Sequence, residues 1–188
     1  MKKDVIAILL VALVVALLIS GTNIQSVEEY YRTNTAAREV VSDDDPYVTV
    51  SIVCHVLNKE ENYAKLDDAL KDEKYVPTNG VILAPTKYKL LTDSDSVYDV
   101  LSFAVRANRI EMVASNQNSY ATVYVSSINH LREYSAGELS GWTYSVNGAF
   151  PQVGCDKCVL HGGDVVVWAY TCDLGRDVGD DSYVGGGK

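Results

Sequence analysis

The segment Cys155-x-x-Cys158 has the spacing of a thiol redox pair and of half a zinc site. Thiol oxidoreductases place this motif at the N-terminus of a helix, which lowers the pKa of the attacking thiol. Here the motif lies in a turn between predicted strands. Zinc would require two further ligands, and His161 is the only histidine nearby in the sequence. We therefore expect neither redox chemistry nor a metal site at these cysteines.

The other residues that could support catalysis are isolated. His55 and His130 stand alone, and single histidines of this kind are more often surface or structural residues than catalysts. The sequence has no serine in a nucleophile-elbow motif, no glycine-rich phosphate loop and no paired-carboxylate arrangement. We therefore predict that the protein is not an enzyme and that it requires no cofactor.

Aromatic residues are the strongest candidates for ligand contact. The chain has 13 tyrosines and only 2 phenylalanines, a bias toward rings with a polar edge that suits contact surfaces. On alternating strands Trp142 and Tyr144 share one face, as do Trp168 and Tyr170, so each pair is either a core element or part of a binding surface. The candidate ligand-binding residues are Trp142, Tyr144, Asn147 and Phe150.

These residues must be positioned by an α+β domain. The best helix signal starts at Asp95 or Ser96, where an oxygen-bearing side chain can cap the first amides and an apolar stripe follows to Val105. A weaker pattern over residues 60–73 predicts a short surface helix. Alternating or β-branched runs predict strands at residues 48–53, 81–83, 88–91, 111–114, 121–128, 141–146 and 164–172. Asn147-Gly148 is a strong hairpin signal, because both positions tolerate positive φ.

The ends of the chain differ in composition from this domain. Lys2 and Lys3 precede an unbroken apolar run over residues 5–19, which matches a secretory signal better than a spanning helix. Residues 1–22 are therefore either a cleaved signal peptide or an uncleaved membrane anchor. Residues 23–46 read as an acidic stalk, and residues 180–188 as a flexible polar tail. We expect an extracellular protein, either secreted or anchored to the outer face of the cytoplasmic membrane.

The net charge of the chain is −9, and its lysines and arginines are scattered. Nucleic-acid binding requires clustered positive charge to neutralise phosphates. We therefore expect no nucleic-acid partner, and membrane contact only through the N-terminal segment.

Several ordered blocks resemble one known family. They are VPTNGVILAPT at 76–86, SVYDVL at 96–101, GWTYSVNGAFP at 141–151, GCDKC at 154–158 and GGDVVVWAYTCDLG at 162–175. Together they resemble the transcobalamin-like C-terminal domain, also called DUF4430, over residues 47–179. The resemblance implies a β-grasp fold, with a small mixed sheet packed by one main helix, related to the small domain of vertebrate cobalamin carriers.

The resemblance also bears on the four cysteines, because an exported chain with an even number of cysteines favours disulfides. A β-grasp fold sets its first and last strands side by side, which favours pairing of Cys54 with Cys172. Members of the family often carry a further cysteine near the position of Ala136, which pairs with the one at Cys155. This chain lacks it, so either Cys158 replaces it in a Cys155–Cys158 bridge or both thiols stay free.

Two functions remain open from the sequence. The first is a small-molecule binding module for a corrinoid, because the cobalamin carriers hold a corrinoid between this small domain and a large helical barrel. This chain contains no such barrel, so the module would act alone or with a helical partner. The second is a surface adhesion or interaction module whose partner is a protein or a cell-wall polymer.

Overall fold

The computed structural model describes residues 44–116 and 121–182. The described residues all belong to one compact unit. The predicted signal or anchor, most of the acidic stalk and the end of the polar tail lie outside the described residues. No helix in the described residues combines the length and apolar character needed to cross a membrane.

The described part of the chain is an α+β fold with seven strands and two α-helices. This is the fold class that the sequence predicts. The strands are β1 (Tyr47–Val53), β2 (Val81–Lys89), β3 (Met112–Ser115), β4 (Tyr124–Ile128), β5 (Leu131–Arg132), β6 (Gly141–Val146) and β7 (Val165–Thr171). The helices are α1 (Glu60–Tyr63) and α2 (Val97–Ala107).

The first sheet has four strands in the order β2-β1-β7-β6. The central strands β1 and β7 run parallel, and Ile52 lies opposite Trp168. Both outer strands pair antiparallel with their neighbours, and β6 places Tyr144 opposite Trp168. The strands predicted separately at residues 81–83 and 88–91 belong to one continuous strand, β2, which ends at Lys89. Two register shifts in its pairing with β1 interrupt the alternation of its side chains.

Helix α2 packs against this sheet and confirms the strongest helix prediction. Its N-terminus has a capping box, in which Ser96 accepts from the Asp99 amide and the Asp99 carboxylate accepts from the Ser96 amide. Its apolar stripe is buried in the larger core cluster. The carbonyls of Cys158 and Cys155 accept from the amides of Val97 and Tyr98 at 3.0 Å each, so the Cys-x-x-Cys segment satisfies two free donors of the first turn.

A second sheet of three strands, in the order β3-β4-β5, was not predicted as a separate unit. All its pairings are antiparallel. The turn between β4 and β5 has positive φ at Asn129 (54°) and His130 (66°), so it is a second two-residue turn beside the predicted one at Asn147-Gly148. That predicted turn also forms and is closed by a single bridge between Val146 and Ala149, but the strand that pairs along β6 is β7.

The helix predicted over residues 60–73 is wrong in extent. Helix α1 ends at Tyr63, and a separate 3₁₀ turn covers Asp68–Leu70. The Asp67 side chain accepts from the Ala69 amide and starts this new turn, which interrupts the helical path.

Two buried clusters form the core. The larger lies between α2 and the first sheet and includes Ile52, Leu101 and Trp168. The smaller includes Cys54, Leu57 and Tyr170. Strand β7 contributes Trp168 to the larger cluster and Tyr170 to the smaller one, and Cys54 of the smaller cluster directly follows β1.

Candidate ligand-binding cleft

An open cleft of about 410 Å³ lies beside the start of β6. Its walls come from residues 141–143 of β6, Tyr124 of β4, residues 133–134 and 138–140 between β5 and β6, residues 151–153, and Thr171, Leu174 and Asp180. The volume falls in the range of small-molecule sites.

Exposed apolar side chains are concentrated at this cleft. Eight large hydrophobic residues are exposed in the described part of the chain, and five of them line the cleft. These five are Tyr124, Tyr134, Leu139, Val153 and Leu174. Single exposed hydrophobic residues are ordinary, but a contiguous group in a concave surface marks a binding site.

Hydrogen bonds hold the loops around the cleft in place. The Leu174 amide donates to the Leu139 carbonyl at 3.0 Å and ties the loop after β7 to the loop before β6. The Tyr134 amide donates to the Ser140 carbonyl at 2.9 Å and closes the second of these loops on itself. The cleft is therefore formed before any ligand arrives, which lowers the ordering cost of binding.

Two residues of the cleft have strained backbones. Tyr134 has φ of 65° and Leu174 has φ of 49°, in the left-handed region that favours glycine. Such a conformation costs about 1–3 kcal/mol for a bulky residue and concentrates at functional sites. The fold thus holds a tyrosine that is 65% exposed and a leucine that is 42% exposed at the rim, at a cost in stability.

The cleft is acidic. Glu133, Glu138 and Asp180 line it, and its described lining contains no lysine, arginine or histidine. The Tyr124 hydroxyl donates to Glu133 Oε2 at 2.5 Å, so an aromatic ring and a carboxylate are held side by side. Asp180 is buried and accepts from the Ser182 amide at 3.0 Å. The sequence-based boundary had assigned Asp180 to the polar tail.

Of the four ligand-binding residues predicted from the sequence, Trp142 lines the cleft. Its indole Nε1 donates to the Leu131 carbonyl at 2.7 Å, and its ring meets Tyr170 edge-on at 5.3 Å between centroids. Its only polar atom is thus used inside the protein, so the ring itself is what a ligand can contact.

Tyr144 is a core residue that supports the cleft. It is 9% exposed, and its ring lies 5.3 Å from that of Trp168. Burial raises the pKa of its hydroxyl, which donates to the Val153 carbonyl at 2.7 Å. Tyr144 therefore positions a residue of the cleft wall from beneath.

The structure does not bring the other two predicted residues to the cleft. The Asn147 side chain donates to Asp164 at 2.8 Å and accepts from the Val165 amide at 2.9 Å, so it fastens the turn to β7. Phe150 directly precedes the cleft residues Pro151 and Gln152 but does not line the cleft itself.

The sequence reasoning missed Tyr124, Tyr134, Leu139 and Leu174, which all line the cleft. The available signal was a large apolar residue inside a polar loop segment, as at residues 133–140.

All four cysteines are free thiols in this structure, so the predicted disulfides are not confirmed. Burial raises the pKa of Cys54 and of Cys155 to about 12, and that of Cys172 to about 11. Such thiols carry almost no thiolate at neutral pH and are poor nucleophiles. Cys54 and Cys172 belong to the smaller core cluster, whereas Cys155 and Cys158 belong to the larger one.

A metal site is not evident in residues 44–116 and 121–182, where no three histidine, cysteine or acidic side chains are arranged to hold an ion. His161 is largely exposed, and its amide donates to the Asp164 carboxylate at 2.8 Å. Its nearest charged partner is thus an aspartate of the adjacent turn rather than the cysteines.

Residues 94–172 match the model of a family described as "Domain of unknown function (DUF4430)". The match confirms the resemblance to DUF4430 over these residues, and the transcobalamin-like relationship stays a prediction. The matched segment contains α2, all strands from β3 to β7 and most of the residues that line the cleft.

No curated protein matches the chain. A solved structure, described as a "putative metal binding protein" from Ruminococcus gnavus ATCC 29149, is similar at 10% identity and a TM-score of 0.40. The likeness covers 68% of this chain and 97% of the other. At this TM-score it carries no argument about fold or function.

Proposed function

We propose that this chain, whose residues 94–172 carry the DUF4430 domain, is an exported ligand-binding module and that its site is the acidic cleft beside β6. The observation that carries the proposal is the concentration of exposed apolar side chains in one concave surface. The hydrogen bonds that fix the surrounding loops support it, because a preformed site binds at a lower entropic cost.

We further propose that the domain is a β-grasp fold. The support is the order β2-β1-β7-β6, with a parallel central pair formed by the first and last strands and a helix packed on the sheet. The additional sheet β3-β4-β5 supplies Tyr124 to the cleft, so it is part of the binding surface in this proposal.

A corrinoid is the ligand that the resemblance to the cobalamin carriers implies. A cleft of about 410 Å³ suits a drug-sized molecule and would enclose only part of a corrinoid. In this proposal the chain therefore either contacts one edge of the ligand alone or shares it with a helical partner, as the carriers share it between two domains.

The test is calorimetric titration of the full chain with cobalamin and with cobinamide. Leu139→Ala removes an exposed side chain from the cleft, and Leu91→Ala makes the same change at a site outside it. The two leucines are 43% and 49% exposed, so their effects on folding should be similar. We expect saturable binding that Leu139→Ala weakens several-fold and Leu91→Ala leaves unchanged.

The absence of binding by either corrinoid up to about 1 mM, where the binding free energy is only about 4 kcal/mol, would exclude a solitary corrinoid module. Binding that both variants weaken equally would exclude the cleft as the site. The first outcome leaves another small ligand or the adhesion or interaction module, with a protein or cell-wall polymer as partner, and the second leaves a ligand-binding module whose site lies elsewhere.

Export is tested separately. The full chain and a variant without residues 1–22 are expressed in a bacterial host and located by protease accessibility of intact cells or spheroplasts. We expect protection of the truncated chain and digestion of the full one, because the apolar run directs export. Intact mass then distinguishes a cleaved signal from a retained anchor.

A further inference from the structure

We infer that the cleft binds a small alkylated organic ammonium ion, an inference that rests on the proposed ligand-binding function and names its ligand class. Three features of the lining converge on this chemistry. They are three aromatic rings, three carboxylates and the lack of a basic side chain among the described lining residues.

The aromatic rings offer π surface rather than hydrogen bonds. The indole N–H of Trp142 donates to the Leu131 carbonyl, and the Tyr124 hydroxyl donates to Glu133. Tyr134 extends the wall with a ring that is 65% exposed. Tryptophan and tyrosine faces attract cations through the ring quadrupole, and groups of such rings recognise methylated ammonium ions.

The carboxylates add a favourable field. Glu133 is held beside the Tyr124 ring, and Asp180 is 6% exposed yet lines the cleft. The amide and the hydroxyl of Ser182 both donate to Oδ1 of Asp180. An anionic ligand would meet three like charges with no compensating cation, whereas a cation would be attracted.

Alkylation of the ammonium matters as much as its charge. A primary ammonium can donate to the carboxylates, but it is compact and strongly hydrated and offers no apolar surface to the rings and aliphatic side chains of the cleft. An alkylated ammonium has few or no N–H groups and presents a methyl surface. That surface suits Leu139, Val153 and Leu174, the exposed aliphatic residues of the cleft.

The experiment compares two probes of nearly identical shape on the full chain. Choline carries a trimethylammonium group, and 3,3-dimethyl-1-butanol replaces its nitrogen with a neutral carbon. We expect saturable binding of choline by calorimetry and at least about tenfold weaker binding of the alcohol, as a cation–π and carboxylate contribution implies.

Two variants locate the charge effect. Glu133→Gln and Asp93→Asn each remove one negative charge, so the two variants have the same net charge, but Asp93 is exposed outside the cleft. We expect Glu133→Gln to weaken choline binding about three- to tenfold and Asp93→Asn to have no effect beyond about twofold. Circular dichroism of both variants verifies that each is folded.

Three results would overturn the inference. Equal binding of choline and the alcohol would show that charge is not recognised, while the cleft would still stand as a ligand site. Equal weakening by both variants would place the effect in the net charge of the protein. No choline binding up to about 10 mM would remove the ligand class, and the separate corrinoid titration would still decide the proposed function.

Discussion

Among the described glycines, Gly154 is the one with the least room for a side chain. A Cβ at this residue would lie 1.6 Å from Thr122 Oγ1, 2.8 Å from Thr122 Cβ and 3.0 Å from Asp156 Oδ1. Rotation of the Thr122 side chain can move its hydroxyl but leaves its Cβ in place. Gly154→Ala must therefore displace either the chain at Thr122 or the turn that contains Cys155 and Asp156.

The cost follows from the contacts that would be lost. The Thr122 hydroxyl and the Val123 amide both donate to Asp156 Oδ1. A hydrogen bond to a charged group contributes about 1.5–3 kcal/mol, and overpacking costs about 1–3 kcal/mol. We expect Gly154→Ala to lower the free energy of unfolding by about 3 kcal/mol, a large part of the 5–15 kcal/mol typical of a domain.

The assay is urea unfolding followed by circular dichroism, with Gly162→Ala as the matched control. A Cβ at Gly162 would meet only Pro46 atoms at 3.6 Å and 3.7 Å, so this control should change stability by less than about 1 kcal/mol. In a Thr122→Gly background, where the obstructing side chain is gone, Gly154→Ala should cost much less. A Gly154→Ala variant as stable as the control, or a cost that the Thr122→Gly background leaves unchanged, would refute the steric argument.

Four further predictions concern stability and the thiols. Ser102→Ala should stabilise the protein by about 1 kcal/mol, because within the described residues the buried Ser102 hydroxyl on α2 has no hydrogen-bond partner and alanine favours the helix. Ser127→Ala should destabilise it by about 2 kcal/mol, because the Ser127 hydroxyl donates to Glu111 at 3.0 Å. Urea unfolding that shows stability changes of the same sign for both variants would contradict this contrast. Burial opposes the charge of Asp156, but hydrogen bonds from Thr122, Lys157 and Val123 lower its pKa to about 2. The contribution of Asp156 to the free energy of unfolding is therefore complete above the unfolded pKa of 3.8 and is lost as the pH falls toward 2. Asp156→Asn should therefore destabilise the protein at pH 7 and flatten the loss of stability between pH 4 and pH 2, and an unchanged acid profile would contradict the assignment. In the reduced native protein at pH 8, Cys54 and Cys155 should resist alkylation by iodoacetamide, since both are buried and the pKa of each is near 12. On oxidative refolding we expect Cys54–Cys172 and Cys155–Cys158 links, because each pair shares one core cluster; peptide mapping that finds Cys54 joined to Cys155 would exclude this pairing.

The elements with strong local signals could be predicted from the sequence. Helix α2 carries its cap and its apolar stripe in one continuous stretch, and β1 and β7 show β-branched runs with clear limits. The parallel pairing of β1 with β7 spans more than a hundred residues of sequence, and no local pattern encodes it. It was accessible only through the family resemblance.

The second sheet and the cleft were not accessible in this way. Strand β5 has two residues, Leu131 and Arg132, which is too short for any periodicity. The cleft combines residues from β4, β6, β7 and three loops that are separated in sequence. Alternation assigns a residue to a face of a strand, but whether another element covers that face depends on contacts that are distant along the chain.

Trp142 and Tyr144 show why a shared face did not imply a shared role. Both lie on β6 two residues apart, yet Trp142 lines the cleft while Tyr144 is buried against Trp168. The larger cluster covers one part of that face, and the smaller cluster and the loops leave the other part partly open. Because the Tyr144 hydroxyl holds the Val153 carbonyl, a change at Tyr144 acts on the cleft through the position of its wall. Weaker binding after a change at Tyr144 is therefore not evidence of ligand contact, even where the stability of the fold is unaltered.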